Sequence, residues 1–169
     1  MEPKRKIKPF KLILRISEIV KIAFFVMIRF KKPIHILKCY ALNIKPKDNR
    51  VYLRNGWLIN LSSHQDDLVT LIVIFCRNEY GNIAKDVTCV DIGANIGMFT
   101  LYALFNGAKK VISIEPNTAA FLVLKKNLEE NDLLKKVVLY NKAISSVDDL
   151  TIKLPKLSSP YNSSNVILW

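Results

Sequence analysis

The apolar residues of this 169-residue chain come in runs whose spacing changes several times along its length. In KLILRISEIVKIAFFVMIRF, residues 11–30, they cover most of the circumference of a helix. VYLRNGWLINL, residues 51–61, instead alternates on either side of Asn55-Gly56. That dipeptide supplies the positive φ angles of a tight type I′ turn, so the stretch predicts a β-hairpin. Leu68 to Phe75 is almost uninterruptedly apolar, and Asp66 and Asp67 before it with Gly81 after it are start and stop signals that predict a helix. From Val87 onward strand and helix take turns: strand Val87 to Ile92, helix Met98 to Asn106 stopped by Gly107, strand Val111 to Ile114, helix Thr118 to Glu130, strand Val137 to Tyr140. That order predicts an α/β fold in which right-handed crossovers lay three parallel strands side by side.

Val87 to Ile92 reads as a buried parallel strand, a near-continuous apolar run that Asp91 interrupts close to its end. Gly93 and Gly97 bracket the turn that follows, and Glu115 ends the next strand, 24 residues after Asp91. Both acids thus fall on the sheet edge where open α/β sheets bind ligands. A carboxylate ending a buried strand costs desolvation unless something pairs with it, which favours a ligand role for Asp91. An acid at the spacing of Glu115 is where such folds hold ribose hydroxyls. The turn is G-A-N-I-G, not the G-x-G-x-x-G of dinucleotide sites. A negative charge two residues before its first glycine would repel pyrophosphate but not a cationic ligand. Gly97 has an equally good explanation in tight helix packing.

VDIGANIGMFT, ISIEPNTAAFLVLKKNLEEN and LYNKAIS follow one another in this order, with VYLRNGWLINL and the tripeptide EYG upstream. Together, from Val51 to Ser146, they resemble the FkbM family of methyltransferases, and D-I-G-A-N-I-G followed by I-E-P is similar to the motifs of class I methyltransferases generally. The resemblance implies a Rossmann-like class I methyltransferase fold and S-adenosylmethionine as cofactor. It places Gly93, Ala94, Asn95 and Gly97 around the methionine part, Asp91 toward the amino group directly or through water, and Glu115 on the ribose hydroxyls. Pro116 and Asn117 would flank the adenosine, and Asn141 with Ala143 the adenine. Tyr80, in EYG, would contact the cofactor as in relatives, with plain packing as its alternative. The implied reaction is in-line transfer of the sulfonium methyl to an oxygen of a small hydroxylated metabolite or sugar; no residue before 147 stands out as a general base. Two other readings stand beside it. One is a non-catalytic cofactor-binding or scaffold protein; the other is an RNA methyltransferase using the basic arm, against which the lack of interleaved stacking aromatics counts.

Charge separates the chain into two parts. Residues 1–50 carry 14 Lys and Arg against 3 Asp and Glu, net +11, whereas residues 51–169 carry 12 against 11. The pI of 9.7 therefore belongs to a basic, helical N-terminal segment over 1–50, which Lys45 to Arg50 separates from a methyltransferase-like domain over 51–169. The segment's longest uncharged run, Ile22 to Ile28, is well short of the ~18 apolar residues of a membrane span. Arg29, Lys31, Lys32 and Pro33 then stand where a signal peptide would have its cleavage site. Residues 10–30 are expected either to pack on the domain or to lie on a membrane surface. Cys39, Cys76 and Cys89 form no C-x-x-C pair and fit reduced thiols of a cytoplasmic protein, without a metal. His35 and His64 lack a second ligand and read as ordinary polar residues, Asn127 as helix surface and Asn131 as a helix C-cap. Past Tyr140 only Leu150 to Leu154 and Val166 to Leu168 look strand-like, and the family's later acidic strand-end motif is missing. The sheet is therefore expected to be incomplete, with an open apolar edge for a partner or missing segment to cover.

Overall fold

The computed structural model describes residues 9–64 and 66–144, with side chains from Ser17 onward; Leu150 to Leu154 and Val166 to Leu168 lie outside them. Helices α1 (Pro9–Arg29) and α2 (Pro33–Ala41) come first. They are separate because a proline disfavours helical backbone in the residue before it, and Lys32 sits at φ −120°, ψ 65°. α1 buries Ile22 and Val26, and Phe30 just past its end continues the same row at a spacing of four. It packs on a wide π turn (Val73–Arg77) that prolongs α3 (Asp66–Ile72). The Arg29 guanidinium donates to the Phe75 carbonyl and lies over the rings of Phe25 and Phe105, at 4.6 and 5.5 Å. Lys21 donates to the Arg77 carbonyl at 2.9 Å, and Glu18 pairs with Arg77 at 3.7 Å. The helical run that begins at Asp66 ends at Asn78, whose left-handed φ of 59° turns the chain away before Gly81, the expected stop.

Strands β1 (Arg50–Tyr52) and β2 (Leu58–Asn60) pair antiparallel, as the alternation predicts, but the turn is not type I′. Positive φ falls on Gly56 (99°) and not on Asn55. Gly56 N–H donates to the Leu53 carbonyl at 3.1 Å and Leu53 N–H to the Trp57 carbonyl at 2.8 Å, a three-residue loop closed by a glycine bulge. Asn55 contributes through its side chain, which accepts from Trp57 N–H at 3.1 Å. The end of α1 joins the hairpin: Lys31 N–H donates to Tyr52 and Arg54 N–H to the Arg29 carbonyl, at 2.9 and 2.8 Å.

Strands β3 (Thr88–Ile92), β4 (Lys110–Ile114) and β5 (Val137–Tyr140) form a parallel sheet in the order β3-β4-β5, with α4 (Met98–Phe105) and α5 (Thr118–Glu129) as crossovers. This is the parallel α/β arrangement predicted from the alternation, and the Rossmann-like one that the resemblance implies. The register sets Asp91 beside Ser113 and Ile92 beside Ile114 and, through it, Tyr140. Asp91, Val111 and Ser113 turn inward and are buried, while Val90, Ile92 and Tyr140 point the other way and are 55%, 66% and 46% exposed. A parallel sheet normally has both faces covered. Among the described residues the face carrying Val90 and Ile92 is bare, and β3 has a strand partner on one side only. All three cysteines are free; Cys39 and Cys76 are buried, and burial pushes the Cys76 thiol up to about 12, which leaves it unreactive.

Asn127 corrects the sequence reading, and Asn131 does more than that reading gave it. Extended residues two apart aim their N–H and C=O groups to the same side, so Leu58 and Asn60 present two donors and two acceptors along the outer edge of β2. The two asparagines, four apart on and just past α5, occupy that edge as a third strand would. Leu58 N–H donates to Asn131 Oδ1 at 2.8 Å and Asn131 Nδ2 to the Leu58 carbonyl at 2.7 Å. Asn60 N–H donates to Asn127 Oδ1 at 2.7 Å, and Asn127 Nδ2 donates to the carbonyls of Asn60 (3.1 Å) and Ile96 (2.9 Å). Asn127 is completely buried, not helix surface. Asn131 does close the helix, donating to the Asn127 carbonyl at 2.6 Å, and clasps the hairpin as well.

Replacing Asn127 by alanine should leave the N–H and C=O of Asn60 and the C=O of Ile96 without partners. We expect a loss of roughly 2 to 4 kcal/mol in urea unfolding, with a smaller loss for the half-exposed Asn131→Ala. A loss below about 0.5 kcal/mol for Asn127→Ala would show that water replaces the clasp at no cost.

Candidate cofactor site

Two carboxylates end adjacent strands. Asp91, next to last in β3, is 7% exposed, and its Oδ2 accepts from the Thr100 hydroxyl at 2.6 Å. Thr100 is fully buried in α4, and its Oγ1 lies 2.7 Å from Ser113 Oγ. Because a hydroxyl has one proton to give and Thr100 gives its own to Asp91, Ser113 is the donor of the second bond. Burial pushes the Asp91 carboxyl up to about 6; the Thr100 hydrogen bonds oppose that and the charge of Glu115 adds to it. The sequence reading missed Thr100 and Ser113. The sole available signal was their polarity at positions that the helix and strand periods turn inward.

Glu115 follows β4 directly and is 3% exposed. Its Oε2 accepts from Asn95 N–H and its Oε1 from Asn117 N–H, each at 2.7 Å. Burial raises its pKa, while the two amides act in the opposite direction. Asn117 caps α5, its Oδ1 accepting from Ala119 and Ala120 N–H at 3.0 and 3.2 Å. Pro116, between the two, leaves the chain extended before the helix. Past β5, Asn141 Nδ2 donates to the Glu115 carbonyl at 2.8 Å, and its Oδ1 accepts from the Thr118 hydroxyl at 3.1 Å. Ala143 lies exposed two residues further on.

The turn from Gly93 to Gly97 is held from beneath by the Ile114 carbonyl, which accepts from Gly93 and Ala94 N–H at 2.9 and 3.0 Å. Gly93 (φ 75°) has nothing within 4 Å of where a Cβ would stand, so the space over the turn's entrance is open. At Gly97 (φ 87°) a Cβ would meet Leu124 Cδ1 at 2.3 Å, so close packing of α5 accounts for this glycine. Asn95, between them at φ 49°, carries a buried Oδ1 with no hydrogen-bond partner. Tyr80 is 56% exposed and rests on the Phe99 ring at 4.8 Å, in a loop tethered by the Tyr102 hydroxyl, which lies within hydrogen-bond reach of Asn78 and, at 3.0 Å, of the Gly81 carbonyl.

The fold therefore gathers Asp91, Gly93, Ala94, Asn95, Glu115, Pro116, Asn117 and Asn141 at one sheet edge and puts Tyr80 on the helix that follows the turn. An open approach over Gly93, an orphaned acceptor on Asn95 and two anionic side chains fit a ligand that is cationic and carries hydroxyl donors. Among the described residues no group of three potential metal ligands occurs.

No family model and no curated protein matches the chain. Among solved structures it is similar to the Escherichia coli protein yhhF, described as a methyltransferase, at 23% identity over 52% of this chain and 47% of that one, with a TM-score of 0.40. A Pyrococcus horikoshii protein described as an RNA methyltransferase shares 25% identity over 49% of this chain and 40% of that one, TM-score 0.38. PRMT6 in complex with SAH shares 26% over 44% and 22%, TM-score 0.38. The chain spans less than half the length of each of these methyltransferases.

The raised Asp91 carboxyl has a consequence for stability. Between an ordinary carboxylate value near 4 and about 6, the folded chain holds a proton that the unfolded chain has lost, so stability falls as pH rises through that window. Asp91→Asn keeps an acceptor for Thr100 and removes the titration. Urea unfolding from pH 4 to 8 should show the variant more stable above pH 6, by up to about 3 kcal/mol, with its slope between pH 4 and 6 flattened. An unchanged slope would mean that Asp91 is not the group responsible.

Proposed function

We propose that the chain binds S-adenosylmethionine at this edge and is a methyltransferase of the FkbM kind, acting on an oxygen of a small hydroxylated metabolite or sugar. The observation that carries the reading is the pair of buried carboxylates, Asp91 and Glu115, on adjacent strand ends flanking a turn that is open over Gly93. A dinucleotide would bring pyrophosphate against the negative charge of Asp91, two residues before the first glycine of the turn. S-adenosylmethionine brings an ammonium, a sulfonium and a ribose diol, and when bound it supplies the activated methyl group.

In this reading Asp91 attracts the amino group, and Gly93, Ala94 and Asn95 line the methionine part. Each oxygen of Glu115 has a lone pair left after accepting one backbone N–H, and the ribose hydroxyls donate to these. Pro116, Asn117, Asn141 and Ala143 border the adenosine side, and Tyr80 closes the site from the loop that rests on Phe99. The sheet edge positions the cofactor and acceptor for in-line transfer.

Calorimetry on the intact chain tests the proposal. S-adenosylhomocysteine should bind more tightly than NAD. Glu115→Gln should weaken its binding by roughly 1.5 to 3 kcal/mol, on the order of ten- to a hundredfold in Kd, with the variant's folding confirmed by circular dichroism. Affinity for S-adenosylmethionine should also fall below about pH 6 as Asp91 gains its proton. Tighter binding of NAD, or unchanged affinity in a folded Glu115→Gln variant, would overturn the proposal.

A further inference from the structure

α1 is apolar on two opposite sides, and its core contacts account for one of them. Ile22, Val26 and Phe30 face the core. Val20, Phe24 and Met27 form a second row that Lys31 continues past the helix end, at spacings of four, three and four residues. They are 61%, 58% and 46% exposed, and Ile28 beside them is 48% exposed. The charged residues that interrupt the apolar run are turned to the protein: Glu18 and Lys21 bond to Arg77, and Arg29 bonds to Phe75 and covers two rings. The outer row is therefore free of charge from Val20 to Ile28 and ends in Lys31 and Lys32, both exposed, with Ile34 beyond them 76% exposed. A contiguous apolar strip of this kind on a folded surface marks an interaction site.

We propose that this outer face of α1 docks the protein on an anionic membrane surface, with Val20, Phe24, Met27 and Ile28 entering the headgroup boundary and Lys31 and Lys32 meeting lipid phosphates. Charge selects this occupant. Between Glu18 and Asp48 the sequence has seven Lys and Arg and no acidic residue. Two copies meeting through this strip would bring two strongly basic segments together, whereas an anionic bilayer neutralises them. The helix lies along the surface and does not cross it: among the described residues no helix is long and apolar enough to span a membrane.

Flotation of the full chain with vesicles tests the assignment. The protein should rise with phosphatidylcholine vesicles containing phosphatidylserine, stay behind with phosphatidylcholine alone, and be released several-fold by high salt. Phe24→Asp with Met27→Asp, and separately Lys31→Glu with Lys32→Glu, should each reduce flotation several-fold. Both pairs are exposed, so the thermal unfolding curves should stay near wild type. Equal recovery with both vesicle types, or flotation that neither double variant changes, would overturn the proposal. So would a solution dimer that Phe24→Asp with Met27→Asp splits while the wild type ignores vesicles; that result would assign the strip to a protein contact.

Discussion

The carboxylate of Glu115 holds together the parts from which the site is made. One oxygen takes the amide of Asn95 in the glycine turn and the other takes the amide of Asn117 at the start of α5. Its own N–H bonds to the Tyr140 carbonyl at the end of β5, and its C=O receives Asn141. The ends of three strands and two helix starts converge on one residue. Without a carboxylate there, the Asn95 and Asn117 amides would lose their shared acceptor, and the turn would be left with the Ile114 carbonyl beneath it and the bond from Asn127 to Ile96. A turn held in this way before any ligand arrives loses little freedom when one binds, which is the physical advantage of building a site on rigid elements.

Amide and carboxyl side chains replace backbone partners elsewhere too. Asn127 and Asn131 complete the edge of β2, and Asn127 also reaches the Ile96 carbonyl, so the hairpin and the glycine turn are joined through α5. The hairpin is thus part of the site's support even though none of its residues borders the turn's open side. Asp91 is the expensive member of the set. Its buried carboxyl is partly balanced by Thr100, backed by Ser113, and it stands near a second negative group. A fold selected for stability alone would place a neutral residue there, and the penalty is relieved when the carboxyl gains a proton or something cationic arrives.

Much of this was legible in the sequence because period and punctuation carry it. The β-α-β alternation placed the three parallel strands within a residue of their ends, and acid-then-glycine at one strand end with a second acid at the next placed the carboxylates at one edge. Asn127 was read as surface because asparagine usually is, yet it lies in helical phase with Ala120 and Leu124, both buried. That phase was the available signal. The hairpin turn was misassigned because Asn-Gly serves several turn types, and strand pairing, not the dipeptide, decides which one closes. The inward pull of Lys21 and Arg29 could not be read at all, since it depends on carbonyls of the π turn more than forty residues away.

The turn between β3 and α4, with the start of α5, is the proposed preformed receptor for an S-adenosylmethionine-shaped ligand. Amide nuclear magnetic resonance during titration with S-adenosylhomocysteine tests it most directly. The account predicts saturable shifts concentrated on Gly93 to Gly97 and on the amides of Asn117 and Asn141, with α1 and α2 unmoved. Shifts confined to α1, α2 or the hairpin, or none at saturating ligand, would contradict it.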